Sequence, residues 1–222
     1  MMALVDTELA FSVLLGREQG LVEQILADIA LGTFVSGNRL VTAQLAERYG
    51  TGVNPVREAL KQLEGEGFVT SQKNSGARVA SFEYTSMRDL FEILQLLEPY
   101  FMAWFVDHYS DENVAQLDQL LQQMRGLTAN DRVGFLHLDN LFHWEMYRHH
   151  YNKSALKIWK TKRLMLLAMH GNLAVSRTRI EHSIGEHQQI IDALRAGKGA
   201  QSVQALALHL SSSEDYWSKL IR

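Results

Sequence analysis

The residues whose types and spacing are best suited to chemistry are an aspartate and three histidines in the C-terminal two-thirds of the chain. Asp139 and His143 lie four residues apart in "LDNLFHWEM", a segment whose apolar spacing predicts a helix. Both side chains therefore project from one face of that helix. A carboxylate and an imidazole one turn apart can chelate a single metal ion.

Two further histidines are placed symmetrically about a predicted turn. His187 lies eleven residues before Lys198 and His209 lies eleven residues after it. An antiparallel helix pair bent at "GKG" would bring both to one level, roughly 16 Å from the turn at about 1.5 Å rise per residue. Three imidazoles and one carboxylate suit Zn²⁺, Ni²⁺ or Mn²⁺, with positions left open for water or a ligand. The pattern alone leaves open that these histidines are ordinary core or surface groups.

The segment "TGVNPVREALKQLEGEGFV" indicates a different activity. Pro55 is tolerated in the first turn of a helix because its missing N–H has no intrahelical partner there. We expect Asn54 to cap this helix, which would span about 54–65. Its apolar residues would face a core and leave Arg57 and Lys61 on the surface, where Arg57 either contacts a partner or pairs with nearby carboxylates.

The segments on either side predict a winged helix-turn-helix. A first helix is expected over about 18–31, and Thr42 is expected to cap a short second helix, "TAQLAERYG". "FVTSQKNSGARVA" alternates around a tight turn from Lys73 to Gly76, which is typical of a two-stranded hairpin. In such a domain the helix that begins near the proline enters the major groove, and the hairpin reaches the backbone or the minor groove.

Composition limits the classes of protein to which this chain can belong. The chain has 222 residues, of which 46% are hydrophobic and 21% charged, and it has two prolines and no cysteine. These values predict a mostly helical protein with one or two cores and exclude disulfides and thiolate metal sites. The longest strongly apolar run, "LMLLAM", is too short to span a membrane, and the start lacks a basic signal-peptide region, so we expect a cytoplasmic protein.

The net charge of the whole chain does not indicate a nucleic-acid partner, but the charge of one segment does. The net charge of −3 excludes a surface that is basic throughout, but basic residues outnumber glutamates between residues 36 and 80. After Phe82, six segments with helical apolar spacing predict an antiparallel all-α bundle. We therefore predict a mostly α protein, with a winged helix-turn-helix over 1–82, including an N-terminal extension, and a helical domain over 83–222.

The N-terminal motifs resemble the GntR family of bacterial transcription regulators. The resemblance covers roughly residues 20–80 and is carried by "LAERYG", "NPVREALKQLEGEGFV" and "NSGARV". It implies that Arg57 contacts DNA and that Gly76 lets the wing tip approach it. Where the family usually has serine, arginine and threonine before the proline, this chain has Gly52, Val53 and Asn54. The predicted DNA-binding residues are Arg39, Thr42, Asn54, Arg57, Lys61, Lys73 and Gly76.

The second half resembles the FCD effector domain of the FadR subfamily, through "LLEP", "LDNLFH", "GEHQQIIDALRAGK" and "ALHL". Metal-binding members carry an aspartate and three histidines at the positions of Asp139, His143, His187 and His209. The resemblance implies a divalent transition metal beneath a pocket for a small-molecule effector, often a carboxylate. It also implies a homodimer that binds a short palindromic DNA operator and changes its arrangement when the effector binds.

One departure concerns the effector pocket. The family commonly has an arginine three residues before the glutamate of "LLEP", where this chain has Gln95. A neutral amide cannot replace a bidentate cation, so Arg163 is a candidate substitute, and Gln95 and Arg163 are the predicted pocket residues. Two alternatives stay open: the metal itself is the signal, or the site belongs to a metal-dependent enzyme. We expect no enzyme, because no general base stands out beside the ligands.

Overall fold

The computed structural model describes residues 20–72, 76–81, 84–128, 131–170 and 175–220. Within these ranges it contains nine helices and a three-stranded antiparallel sheet, which confirms the predicted mostly α fold class. The helices are α1 (Leu21–Ala30), α2 (Thr42–Arg48), α3 (Val53–Gly65), α4 (Tyr84–Phe105), α5 (Asp111–Gly126), α6 (Arg132–Tyr147), α7 (Lys153–His170), α8 (Arg177–Arg195) and α9 (Gly199–Leu220). The strands are β1 (Arg39–Leu40), β2 (Val69–Gln72) and β3 (Gly76–Val79).

Helices α1 to α3 and the sheet form the N-terminal part. Helix α3 buries one apolar stripe against α1 and α2, and its opposite face is exposed. The strand order is β1-β3-β2, so the sheet has one strand more than the predicted two-stranded hairpin. Strand β1 pairs with β3 and sets Arg39 opposite Arg78 and Leu40 opposite Ala77. A two-residue strand is too short for the alternation that predicts strands.

Both predicted helix caps are wrong. Helix α3 has Gly52 as its N-cap, and Asn54 lies inside the first turn. Pro55 is therefore the third helical residue, a position whose N–H also lacks an intrahelical partner. Helix α2 has Val41 as its N-cap, in extended conformation, and Thr42 is its first residue. Neither Val41 nor Gly52 caps its helix with a side-chain hydrogen bond.

Helices α4 to α9 form the C-terminal bundle. Helix α9 packs along both α4 and α8, and α6 packs against α4 and α5. Gly199 permits a close approach, since a Cβ there would lie 3.2 Å from the Val106 Cβ. The chain bends between α8 and α9 at Gly197, whose φ is +65°. This is the predicted "GKG" turn, and it sets His187 and His209 at one level. None of the described helices is both long and apolar enough to cross a membrane.

Helix α7 belongs to the C-terminal bundle but also packs against α1, so the N-terminal part and the bundle meet along this helix. Met165 on α7 approaches Gly67, the middle one of the three residues between α3 and β2: a Cβ on Gly67 would lie 2.8 Å from the Met165 Cε. Buried apolar residues of both parts belong to one cluster. Helix α7 therefore has one face in the bundle and one against the N-terminal part.

Candidate metal centre and nucleic-acid interface

Four side chains from three helices converge in the centre of the bundle. Asp139 and His143 come from α6, His187 from α8 and His209 from α9, and one donor atom from each lies within 4.8 Å of the others. The three imidazoles are buried. The structure thus brings together all four residues that the sequence predicts as metal ligands.

Two of the imidazoles bring their Nε2 atoms close together. The Nδ1 of His143 lies 2.7 Å from Glu98 Oε2, and the Nδ1 of His209 lies 2.9 Å from Glu186 Oε2. The Glu98 contact is short but is not aligned as a hydrogen bond. We assign the proton of each ring to the Nδ1 beside its carboxylate, which leaves both Nε2 atoms with lone pairs. These two Nε2 atoms are 3.3 Å apart. Two lone pairs at this distance repel each other unless a cation lies between them.

The 3.3 Å separation fits tetrahedral metal coordination. Two nitrogens bound to Zn²⁺ at about 2.05 Å with a tetrahedral angle lie about 3.3 Å apart. A proton is the alternative cation, but burial lowers the pKa of His209, and the opposing hydrogen bond with Glu186 does not offset this. The geometry therefore suits a metal ion better than a shared proton.

His187 supports the same interpretation, since neither of its ring nitrogens has a hydrogen-bond partner although both are buried. Its Nε2 lies 3.5 Å from Asp139 Oδ1. Burial lowers the pKa of His187 well below its usual range, and His209 lowers it further. A neutral, unpaired and buried imidazole is costly as a polar group but well suited to ligate a metal.

Arg163 fixes the carboxylate of the set. Its Nη2 donates to Asp139 Oδ2 at 2.6 Å, and its Nε donates to Asn140 Oδ1 at 2.7 Å. Burial alone would raise the pKa of Asp139, but Arg163 and the nearby histidines more than offset this and hold the pKa well below its usual range. Asp139 is therefore ionised and directs its other oxygen, Oδ1, toward His187.

The sequence interpretation did not identify the two carboxylates that orient the histidines. Glu98 is fully buried and accepts hydrogen bonds from Trp159 Nε1 at 2.8 Å and the Tyr147 hydroxyl at 3.0 Å. Burial would raise its pKa, but His143 and Arg163 outweigh burial and lower the pKa of Glu98 to about 2. Glu186 plays the same part for His209. Such carboxylate–histidine pairs are typical of metal sites, where they fix the ring orientation.

A small cavity adjoins the four residues. Its volume is about 40 Å³, and both Asp139 and His209 line it. Arg163 also lines this cavity but is already paired with Asp139. Gln95 is not among the lining residues: its Nε2 donates to Glu214 Oε2 on α9 at 2.7 Å. The other polar residues around the cavity are Asn140, Arg179, Ser183 and Ser213.

The predicted DNA-binding residues lie on α2, α3 and the sheet. Arg57, Lys61 and Asn54 are exposed on α3, and Thr42 is half-buried at the start of α2. Arg39 is exposed on β1, where its Nε would be 3.7 Å from a Cβ on Gly76. Lys73 lies outside the described residues. Since Arg39 and Arg78 stand opposite each other on paired strands, this edge of the sheet concentrates positive charge.

Comparisons with known proteins match both parts of the chain. The family model described as FCD domain matches residues 89–212, and the one described as bacterial regulatory proteins, gntR family, matches residues 17–79. The HTH-type transcriptional regulator LutR of Bacillus subtilis (strain 168) is 24% identical over 210 residues, which cover 84% of this chain and 94% of LutR.

A second relative and one solved structure also match most of this chain. The gluconate operon transcriptional repressor of Bacillus licheniformis is 25% identical over 173 residues, covering 75% of this chain and 71% of the repressor. The solved structure of E. coli McbR/YncC superposes with a TM-score of 0.79 at 18% identity, over 92% of this chain and 100% of that structure. At this identity the superposition shows a shared fold.

Proposed function

The chain belongs to the GntR family of bacterial regulatory proteins, as a transcription regulator with a DNA-binding helix-turn-helix and an FCD effector domain, and we propose that its FCD domain holds one divalent transition metal ion. Asp139 Oδ1 and the imidazoles of His143, His187 and His209 would be the ligands. Zn²⁺, Ni²⁺ and Mn²⁺ suit this donor set. The family predicted from the motifs is confirmed, and the relatives are regulators rather than enzymes.

The observation that carries the proposal is the pair of Nε2 atoms of His143 and His209, 3.3 Å apart, with a carboxylate beside the Nδ1 of each ring. The unpaired buried imidazole of His187 supports it independently. When bound, the ion would act as a Lewis acid for an oxygen ligand in the adjoining cavity.

The ion and the cavity together form the proposed effector site. A small carboxylate would bind there and alter how a homodimer, acting in the cytoplasm, holds a short palindromic operator. In this proposal residues 1–82 comprise the DNA-binding winged helix-turn-helix and its N-terminal extension, and residues 83–222 bind effector and form the dimer. Arg57, on the exposed face of α3, is a direct DNA contact.

The size of the cavity favours a second candidate, in which the metal itself is the signal. A space of about 40 Å³ holds few atoms besides water. Under this alternative, removal of the ion with a chelator would change operator affinity with no organic ligand present. Under the first proposal, metal removal would abolish the response to the effector.

Elemental analysis of untagged protein tests the metal site. We expect about one transition metal ion per chain in the parent and almost none in His187→Ala and His209→Ala. His149→Ala is a matched control, because His149 is exposed at the end of α6. A parent that stays free of metal after resupply with Zn²⁺, Ni²⁺ and Mn²⁺ would refute the proposal, as would metal retained in both variants.

A further inference from the structure

The exposed face of α3 presents different chemical groups in its first and second turns. Val53 and Asn54 in the first turn are exposed, as is Arg57 one turn later, whereas Val56 and Ala59 are buried. In a helix-turn-helix domain this helix enters the major groove, and its first residues contact the edges of the bases. The first turn of α3 therefore brings an aliphatic side chain and an amide to the bases, and the second turn brings a guanidinium.

The segment that leads into α3 supplies no further cation to the base edges. Between Thr42 and Asn54 the only basic residue is Arg48. The Nε of Arg48 donates to Asp28 Oδ2 at 2.8 Å, so this guanidinium is held by α1. Arginine and lysine are the side chains that bind the O6 and N7 acceptors of guanine. The first turn of α3 lacks both residue types, so it is not suited to guanine.

Asn54 carries the group that is suited to adenine. An asparagine amide can accept a hydrogen bond from the adenine N6 amino group and donate one to N7, and adenine alone offers this pairing in the major groove. The side chain of Asn54 is exposed, and the N-cap of α3 is Gly52, so the amide does not cap its own helix. It is therefore available to bind a base.

Val53 adds an apolar contact beside this amide. Its side chain is 36% exposed, which for a single surface valine is ordinary. Its position next to Asn54 gives it a partner, because the C5-methyl group of thymine is the apolar feature of a base pair in the major groove. The two residues are separated by about 100° around the helix and about 1.5 Å along it. They can therefore contact the same A·T pair or two consecutive ones.

We propose that the first turn of α3 selects A·T base pairs in the operator, with Asn54 bound to an adenine and Val53 packed against a thymine methyl group. Both residues thus determine sequence specificity. The inference rests on the DNA-binding role of α3 and does not depend on the metal site. An arginine at position 53 would instead select a G·C pair.

Selection from a random-sequence duplex library by the full-length protein would give the half-site, in which we expect at least one fixed A·T pair. Each A·T pair of the selected duplex is then modified in turn, with 7-deazaadenine, which lacks N7, or with deoxyuridine, which lacks the thymine methyl group. Fluorescence anisotropy should show binding weakened about fivefold or more by 7-deazaadenine at one position. Deoxyuridine should weaken it about fourfold, as expected for one apolar carbon. A half-site fixed only at G·C pairs would overturn the proposal, as would full affinity for every modified duplex.

Variants assign each contact to its residue. Asn54→Ala should lose the sensitivity to 7-deazaadenine and keep that to deoxyuridine, and Val53→Ala should show the reverse, while Val53→Arg should shift the selected pair toward G·C. Gln62→Ala is the matched control, because Gln62 is exposed two turns further along α3, and it should keep both sensitivities. Parent-like sensitivities in Asn54→Ala and Val53→Ala would overturn the proposal. A parent that enriches no sequence would refute the DNA-binding role of α3 itself.

Discussion

At the scale of single residues, spacing predicts the four proposed ligands but not the groups that orient them. Asp139 and His143 are neighbours on one helix, and His187 and His209 are symmetric about one turn, so local geometry suffices to predict their convergence. Glu98 lies on a different helix from His143, and nothing in its own surroundings in the sequence shows that it faces an imidazole. Its contact depends on how α4 packs against α6, which periodicity does not specify.

The role of Glu98 gives the first prediction at this scale. Glu98→Gln keeps the volume but removes the charge that holds the proton on His143 Nδ1, so the ring is less basic and less well oriented. We expect metal affinity to fall about 10- to 100-fold, as is typical when an outer carboxylate is lost. Competition with a chromophoric chelator would measure it.

Glu92→Gln is the control for this change, because Glu92 lies on the same helix but is 64% exposed and interacts with Arg88. We expect its metal affinity to equal that of the parent. Equal affinities in Glu98→Gln and the parent would show that His143 is oriented without Glu98.

At the scale of elements, helices with strong apolar periodicity were predictable to within a few residues, whereas their exact ends were not. Thr42 and Asn54 are good capping residues by type, but the extended conformation of a cap belongs to Val41 and Gly52. The end of α3 was clearer, because Gly65 and Gly67 frame it. Phe68 N–H donates to Leu63 O and Gly67 N–H to Glu64 O, the pattern of a Schellman motif.

This motif makes Gly67 critical for stability. Its φ is +88°, which costs a residue with a Cβ about 1–2 kcal/mol. We therefore expect Gly67→Ala to lower the free energy of unfolding by about that amount, with a further small cost because Met165 must move. Thermal and urea denaturation would measure the change.

Gly65→Ala is the matched control for Gly67→Ala. A Cβ at Gly65, the last residue of α3, would have no atom within 4 Å. Alanine also has the higher helix propensity, so this variant should be unchanged or more stable by less than about 1 kcal/mol. A loss of stability as large in Gly65→Ala as in Gly67→Ala would contradict the assigned role of the positive φ.

At the scale of the whole molecule, α4 follows β3 along the chain and so offers one route from the bundle to the wing, and the structure offers a second route through α7. Arg163 on α7 binds Asp139 at one end of this route, and Met165, two residues further on, approaches Gly67. Contacts between distant segments such as α1 and α7 leave no periodic signal in the sequence. For this reason the bundle could be predicted, but the way it meets the N-terminal part could not.

The α7 route gives the last prediction. If metal binding repositions Asp139 and hence Arg163, the shift reaches the DNA-binding part through Met165, so Met165→Ala should reduce the ratio of operator affinities between metal-loaded and metal-free protein toward one. Linkage requires that operator DNA change metal affinity by the same factor. Fluorescence anisotropy with labelled operator and chelator competition would measure the two ratios independently.

Two variants serve as controls for this coupling. Met124→Ala removes a buried methionine of α5 that lies outside α7, so it should lower stability to a similar extent and leave the ratio intact. Arg57→Ala should weaken operator binding in both metal states while leaving metal affinity in free protein unchanged. If Met124→Ala reduced the ratio as much as Met165→Ala, the effect would come from general loosening of the bundle. An undiminished ratio in Met165→Ala would exclude this contact of α7 and leave α4 as the connection between the metal centre and the wing.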